Sequence, residues 1–136
     1  METIKHIFVY GTLKVGGRLS YRHDALRGIV QEGIINGDMY SVGDSYPAVV
    51  NLASKYTVRG EVHEYPDIQT ALAIADMIES CNGDDFHNLY NREVVNVHTV
   101  KDVIPAWVYV FNIDISKLQK TAYYSHIKNG VWDLNR

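Results

Sequence analysis

A nine-residue segment late in the chain, IPAWVYVFN (residues 104–112), is apolar on both faces of an extended strand. Its side chains alternate between the two faces, with Trp107, Tyr109 and Phe111 against Ala106, Val108 and Val110. A strand with two apolar faces has to be covered on both of them, so we expect it at the centre of a sheet. The chain must therefore form a sheet that is packed on both sides.

Five other segments have strand character, and we predict five or six strands in all. They are IKHIFVYG (4–11), GIVQEGIINGDMYSV (28–42), SYPAVVNL (45–52), YTVRGEVHEY (56–65) and NREVVNVHTV (91–100). In the second of these, Gly33 and Gly37 are the expected bulge or turn points. The fourth alternates most regularly and places Arg59, Glu61 and His63 on a polar face that we expect at the surface.

One main helix is predicted in YPDIQTALAIADMIES (65–80), with Asp67 as its N-cap. Its apolar residues recur at helical spacing, at Ile68, Ala71, Leu72, Ala75 and Ile78. A shorter helix is predicted in LSYRHDALRG (19–28), ended by Gly28. These elements together predict an α+β fold, in which a small, mostly antiparallel, barrel-like sheet is flanked by one main helix and one or two short helices.

The 136 residues contain no repeat or linker, which predicts one domain over residues 1–136. The net charge of −3 argues against a nucleic-acid partner, which requires a basic surface.

No apolar run approaches the roughly 20 residues of a membrane span, and the run at residues 7–10 is too short for a secretory signal. Cys81 is the only cysteine, so no internal disulfide can form and we expect a cytoplasmic protein. The size of the chain favours a monomer.

The segment FVYGTLKVGGR (8–18) places three glycines directly after a buried strand. Gly11 and Gly16 match the spacing of a Walker A phosphate loop, but Gly17 and Arg18 stand where it needs lysine and serine or threonine. Because the groups that contact phosphate and magnesium are missing, nucleotide binding is the weaker interpretation. Two others stay open: a turn that only reverses the chain, or a nest of backbone N–H groups for a carboxylate or oxyanion. We call residues 11–17 the opening loop.

Glu79 has an unusual position at the end of the predicted helix. At 100° per residue it falls inside the apolar stripe, in the last turn, where the helix dipole disfavours a negative charge. Burial and the dipole would both raise the pKa of its carboxyl group towards neutrality, as a general acid/base requires. The alternative is that the helix ends at residue 77 or 78 and Glu79 points to water. Asp76, at the edge of the stripe, is expected at the surface. Glu61 is a second candidate carboxylate, but its place on the polar face of its strand, between Arg59 and His63, favours a cross-strand role at the surface.

Other kinds of site have less support. The six histidines lack the spacing of a metal site, and no metal or other cofactor is predicted. Cys81 has His87 nearby, but a lone cysteine is more often a buried filler than a nucleophile. A series of basic residues is expected on a solvated helix face, or else in contact with an anionic substrate: Lys14, Arg18, Arg22 and Arg27.

The motif FVYGTLK resembles the VYGTLK or YGSL signature of the gamma-glutamylcyclotransferase-like proteins, most closely the branch that includes gamma-glutamylamine cyclotransferase. The resemblance covers nearly the whole chain, because further segments follow in the family's order: YPAVV, VRGEVHEY, ADMIE, YNREVV and AWVYVF. The tail HIKNGVW resembles the I-x-x-G-x-W ending of several members. Two segments depart from the family, KVGGRLSYRH (14–23) and the longer stretch between Glu79 and Tyr90, so the substrate is the feature least fixed by the resemblance.

The resemblance implies a small mixed barrel, flanked by helices, around a cavity. It assigns binding of a γ-glutamyl or 5-oxoproline group to Tyr10, Gly11, Thr12 and Leu13. It assigns the role of catalytic general acid/base to Glu79, the last residue of ADMIE, and makes Tyr90, which opens the family's Y-x-R motif, a substrate-binding residue.

The function implied by the resemblance is that of a γ-glutamyl cyclotransferase acting on a small molecule. The α-amine of the substrate attacks its own γ-carbonyl, which releases 5-oxoproline and a free amine. Since the reaction is intramolecular, it requires no cofactor, only a held conformer and proton transfer. The alternative is a non-catalytic member of the same fold that binds a small ligand. The identity of the leaving amine stays open.

Overall fold

A computed structural model describes residues 3–11, 13–17, 22–43, 45–79, 89–113, 117–118 and 123–132. These residues form eight strands and one α-helix. In chain order the elements are β1 (His6–Val9), β2 (Val30–Asn36), β3 (Asp38–Val42), β4 (Tyr46–Val50), β5 (Thr57–Glu64), α1 (Ile68–Ile78), β6 (Tyr90–His98), β7 (Val103–Phe111) and β8 (Tyr124–His126).

Five strands close a barrel in the order β1-β5-β2-β6-β7. The pairs are antiparallel except β1 with β7, which run parallel where Ile7 meets Trp107. The strand that the sequence places at the centre of a sheet, β7, lies between β6 and β1. The predicted α+β class, with a small mixed and mostly antiparallel barrel, is therefore confirmed.

A second, three-stranded sheet has the order β4-β3-β8. Gly37 separates β2 from β3, so it is a turn point as predicted. Gly33 is not a bulge, because it pairs in regular register with Gly60 of β5. A Cβ atom at Gly33 would lie 2.4 Å from Val97 Cγ1, so glycine allows β2 and β6 to pack closely here. The three-residue strand β8 has no period-two pattern to predict it and forms by pairing with β3.

The helix α1 begins as predicted, because the Asp67 side chain accepts a hydrogen bond from Thr70 N at 3.3 Å. Its buried face packs into a core cluster with residues of the barrel strands. No helix among the described residues is long and apolar enough to cross a membrane.

No α-helix forms over the described part of the short helix predicted at residues 19–28. Residue 22 is 3₁₀-helical and residues 23–26 form turns, in which the His23 carbonyl accepts from Leu26 N and Arg27 N. Residues 18–21 lie outside the described part of the chain.

Strand β1 separates two core clusters. Ile7 and Val9 pack with the buried face of α1, whereas Phe8 and Tyr10 pack in the other cluster, with residues of β2, β5, β6 and β7. All four side chains are buried, which explains why this strand is apolar at consecutive positions. The chain leaves β1 at Tyr10 and enters the opening loop, where the candidate site begins.

Candidate active site

A cavity of about 190 Å³ lies where the end of β1, the opening loop and the end of α1 meet. We call it the Glu79 cavity, and its wall is formed by Phe8, Val9, Tyr10, Gly11, Leu13, Tyr46, Pro47, Ile78, Glu79, Leu89, Tyr90 and Tyr109. Five of the six predicted site residues are among these, namely Tyr10, Gly11, Leu13, Glu79 and Tyr90. The sixth, Thr12, lies outside the described residues. The structure thus brings together the described residues that the sequence singled out, and their roles stay predictions.

The opening loop folds through successive turns directly after β1. Lys14 N donates to Gly11 O at 3.0 Å, and Gly17 N donates to Lys14 O at 2.7 Å. Gly16 has a φ of +86°, which favours glycine because a Cβ is strained there. A Cβ at Gly11 would lie 2.8 Å from Pro47 Cγ, so glycine lets the loop approach β4 at the cavity wall.

Two buried tyrosine hydroxyls at the cavity each donate to a backbone carbonyl. Tyr10 Oη donates to Tyr109 O at 2.6 Å, and Tyr90 Oη donates to Pro47 O at 2.7 Å. Burial raises the pKa of both phenols, so both stay neutral. Because a hydroxyl has a single hydrogen, each of these oxygens can only accept a hydrogen bond from a ligand.

Glu79 is the C-cap residue of α1, and its N–H donates to Ala75 O at 2.9 Å. The helix ends at Ile78, as the alternative interpretation expected, yet the Glu79 side chain lines the cavity instead of pointing to water. Burial raises the pKa of its carboxyl group from 4.5 to about 7. No lysine or arginine is among the described residues of the cavity wall, so the wall offers no positive charge to oppose this shift.

Asp76, one turn before Glu79, fastens the end of α1 to the barrel. Its Oδ1 accepts from Tyr109 Oη at 2.6 Å and from Arg92 Nε at 3.1 Å, and the Arg92 guanidinium lies 5.3 Å from the centre of the Trp107 ring. The expectation that Asp76 is solvated is therefore met only in part, because 23% of its side chain is exposed. The helical wheel could not show that β6 and β7 place an arginine and a tyrosine against this edge of the helix.

The polar face predicted for β5 is also only partly at the surface. His63 is fully buried, and Glu61 is partly buried with its Oε1 2.9 Å from His63 Nε2. Of the basic residues expected on a solvated helix face, Arg27 covers this side of β5: its side chain is 10% exposed, pairs with Asp24 at 2.6 Å and donates to His63 Nδ1 at 3.2 Å. Alternation along one strand cannot predict such cover, because it comes from a segment about 35 residues away.

Within the described part of the chain, the remaining sequence candidates give no second site. Within the described residues, no group of three histidine, cysteine, aspartate or glutamate side chains could hold a metal ion. Cys81, His87 and Arg18 lie outside the described part. Sequence analysis did not identify several wall residues, including Tyr46, Pro47 and Tyr109, because nothing in their local sequence indicates which cavity they face.

Solved structures share this fold. YkqA from Bacillus subtilis aligns with a TM-score of 0.66 and 21% identity, over 96% of this chain and 40% of YkqA. A uropathogenic E. coli-specific protein aligns with a TM-score of 0.62 and 14% identity, over 96% of this chain and 94% of its own. An uncharacterized protein from Pyrococcus horikoshii aligns with a TM-score of 0.58 and 20% identity, over 95% of this chain and 89% of its own. The chain thus spans less than half the length of YkqA.

Sequence comparison identifies the family. A relative from Niallia circulans, gamma-L-glutamyl-butirosin B gamma-glutamyl cyclotransferase, is 29% identical over 110 residues, which are 80% of this chain and 68% of the relative. The family model described as gamma-glutamyl cyclotransferase, AIG2-like, matches residues 7–134, nearly the whole chain. This chain therefore belongs to the AIG2-like gamma-glutamyl cyclotransferase family.

Proposed function

We propose that this protein cyclises a small γ-glutamyl amide or amine compound, releasing 5-oxoproline and a free amine. The observation that carries the proposal is the carboxyl group of Glu79, buried in a small cavity beside the opening loop, with a pKa near neutrality. The name of the Niallia circulans relative, a γ-glutamyl cyclotransferase, supports the same reaction class.

The size of the cavity supports a small substrate group. Its volume of about 190 Å³ is below the roughly 300–1,000 Å³ of sites for drug-sized ligands. We expect it to hold the γ-glutamyl group alone, with the leaving amine extending beyond it. Contact with the cavity wall would also keep the γ-glutamyl chain folded, so that its own amine lies near its γ-carbonyl.

The reaction requires proton transfers that one carboxyl group can perform in turn. The Glu79 carboxylate accepts a proton from the α-ammonium, and the freed lone pair attacks the γ-carbon. The nitrogen of the new ring then loses a second proton to solvent water. As the bond from the γ-carbon to the leaving nitrogen breaks, the protonated Glu79 gives its proton to that nitrogen. A pKa of about 7 suits both steps, because donor and acceptor forms are then both populated at neutral pH.

The other cavity residues have complementary roles in this proposal. Tyr10 and Tyr90 can only accept from a ligand, so their oxygens suit the N–H groups of the substrate ammonium. Backbone N–H groups of Gly11, Thr12 and Leu13 would bind the substrate carboxylate or the oxyanion that forms at the γ-carbonyl. We also retain the predictions of a single domain, a monomer and a cytoplasmic location.

The proposal is tested by identifying the products. Wild-type protein is incubated in ¹⁸O-labelled water with γ-glutamyl amino acids and γ-glutamyl alkylamines, and the products are analysed by mass spectrometry. We expect unlabelled 5-oxoproline and free amine in equal amounts from at least one compound. Labelled glutamate would indicate hydrolysis instead, and binding of 5-oxoproline with no turnover of any compound would indicate the non-catalytic alternative.

A further inference from the structure

A chain of polar groups lies along β5, outside the Glu79 cavity, and the proposed mechanism makes no use of it. We call it the Glu61 relay; its members are Glu61, His63, Tyr65 and His23. His63 Nε2 lies 2.9 Å from Glu61 Oε1, and His63 Nδ1 lies 3.1 Å from the Tyr65 hydroxyl. The same hydroxyl lies 3.0 Å from His23 Nδ1. The two histidines and Tyr65 are fully buried.

The proton positions at the His23 end follow from its partner. His23 Nε2 lies 2.9 Å from Ala71 O, and a carbonyl can only accept, so this nitrogen carries the proton. A neutral His23 then accepts at Nδ1, and the Tyr65 hydroxyl donates to it. Burial lowers the pKa of His23, which agrees with a neutral ring.

The proton positions at the His63 end follow in the same way. Arg27 Nε donates to His63 Nδ1 at 3.2 Å, so this nitrogen is the acceptor and Nε2 carries the proton that goes to Glu61. Arg27 also hydrogen-bonds the Tyr65 oxygen, whose own hydrogen is directed to His23. Burial lowers the pKa of His63 as well. With these protons in place no hydrogen lies between His63 Nδ1 and the Tyr65 oxygen, so Arg27, which donates to both, joins His63 to Tyr65. The donors and acceptors of this buried network are matched through Arg27, and a satisfied buried network holds its members rigidly.

The relay connects two of the elements that form the Glu79 cavity, the opening loop and α1. At one end, Glu61 Oε1 accepts from Val15 N at 2.8 Å, within the opening loop. At the other end, His23 donates to the carbonyl of Ala71 in α1, the helix whose C-cap is Glu79.

We propose that Glu61 is a positioning residue of the γ-glutamyl site, which holds the opening loop through Val15 N while the buried relay fixes Glu61 relative to α1. This inference rests on the proposed function, because it assumes that the opening loop binds the γ-glutamyl group. Glu61 acts through Val15 and touches no substrate in this account.

The test compares three substitutions at Glu61 with a matched control. Glu61→Ala removes both hydrogen bonds, Glu61→Gln retains a carbonyl oxygen that can accept both, and Glu61→Asp withdraws the carboxylate by one methylene. The control is Glu32→Ala: Glu32 is exposed, pairs directly with Glu61 across the strands, and has no hydrogen bond or ion pair with a described residue. The readouts are KM and kcat for 5-oxoproline release, the exchange of the Val15 amide hydrogen by NMR, and the thermal midpoint.

We expect Glu61→Ala to lower kcat/KM at least tenfold, mainly by raising KM, and to abolish protection of the Val15 amide. Glu61→Gln should restore both to within threefold of the wild type, and Glu32→Ala should change neither. If Glu61→Ala does not fold, the same decision rests on Glu61→Asp, for which we expect at least a threefold loss and faster exchange of Val15.

Three results would overturn the inference. A variant with an unprotected Val15 amide and wild-type kcat/KM shows that holding the loop is irrelevant to the site. An amide that stays protected without the carboxylate shows that Glu61 does not hold it. Failure of the wild type to turn over any γ-glutamyl compound overturns the proposed function and, with it, this inference. The first two results overturn this inference alone.

Discussion

Replacement of Glu79 by glutamine is expected to lower kcat for 5-oxoproline release roughly a thousandfold, within the ~10²–10⁴ range of general acid/base catalysis. Glutamine has nearly the same size and can occupy the same part of the cavity wall, but it can neither accept a proton from the substrate ammonium nor return one to the leaving nitrogen. In the proposed function the opening loop and the two tyrosines contact the substrate, and the substitution leaves these residues unchanged. KM should therefore change by less than about threefold, because the lost interaction acts in the transition state.

The matched control for this substitution is Glu93→Gln. Glu93 lies on β6, outside the Glu79 cavity, and its side chain is exposed. Its replacement by glutamine removes the same charge as Glu79→Gln does. Its kcat should stay within a factor of two of the wild type. A Glu79→Gln variant with wild-type turnover would show that another group moves the protons.

The same substitution is expected to stabilise the protein at alkaline pH. The pKa of Glu79 is raised by folding from 4.5 to about 7, so the folded state retains a proton that the unfolded state loses between these values. Relative to the Glu79→Gln variant, the wild type is therefore most stable below pH 4.5. Its free energy of unfolding then falls relative to the variant as the pH rises from 4.5 through 7. At about 1.4 kcal/mol per pKa unit, the loss amounts to roughly 3 kcal/mol above pH 7. The Glu79→Gln variant has no such loss of stability, because the glutamine side chain does not ionise.

The measurement is the free energy of unfolding of both proteins between pH 4.5 and pH 8.5. The difference between Glu79→Gln and wild type should be near zero at the acidic end and should grow to as much as roughly 3 kcal/mol at the alkaline end. Glu93→Gln is measured alongside as the control for removing an exposed carboxylate. A difference that does not change with pH would mean that the Glu79 carboxyl ionises as easily in the folded state as in the unfolded chain.

The elements that local pattern determines could be predicted from the sequence. Period-two alternation identifies β5, two apolar faces identify β7, and the Asp67 cap with apolar residues at helical spacing identifies α1. Glu79 was also detectable, because a carboxylate within an apolar stripe conflicts with the pattern around it.

Burial that depends on distant partners could not be predicted. His63 and Glu61 alternate like surface residues, but residues 22–27 and the opening loop cover them. Asp76 sits at the edge of the helical stripe, yet Tyr109 and Arg92 reach it from β7 and β6. In each case the deciding contact joins residues more than ten positions apart, so no local window contains it.

The central claim is that a buried Glu79 carboxyl group is ready to accept and donate protons at neutral pH. It is tested most directly by titrating the side-chain carboxyl carbons of ¹³C-glutamate-labelled protein by NMR. The chain has only six glutamates, and Glu79→Gln assigns the resonance by removing it. We predict that this resonance titrates with a pKa of about 7. Titration near 4.5 would contradict the account.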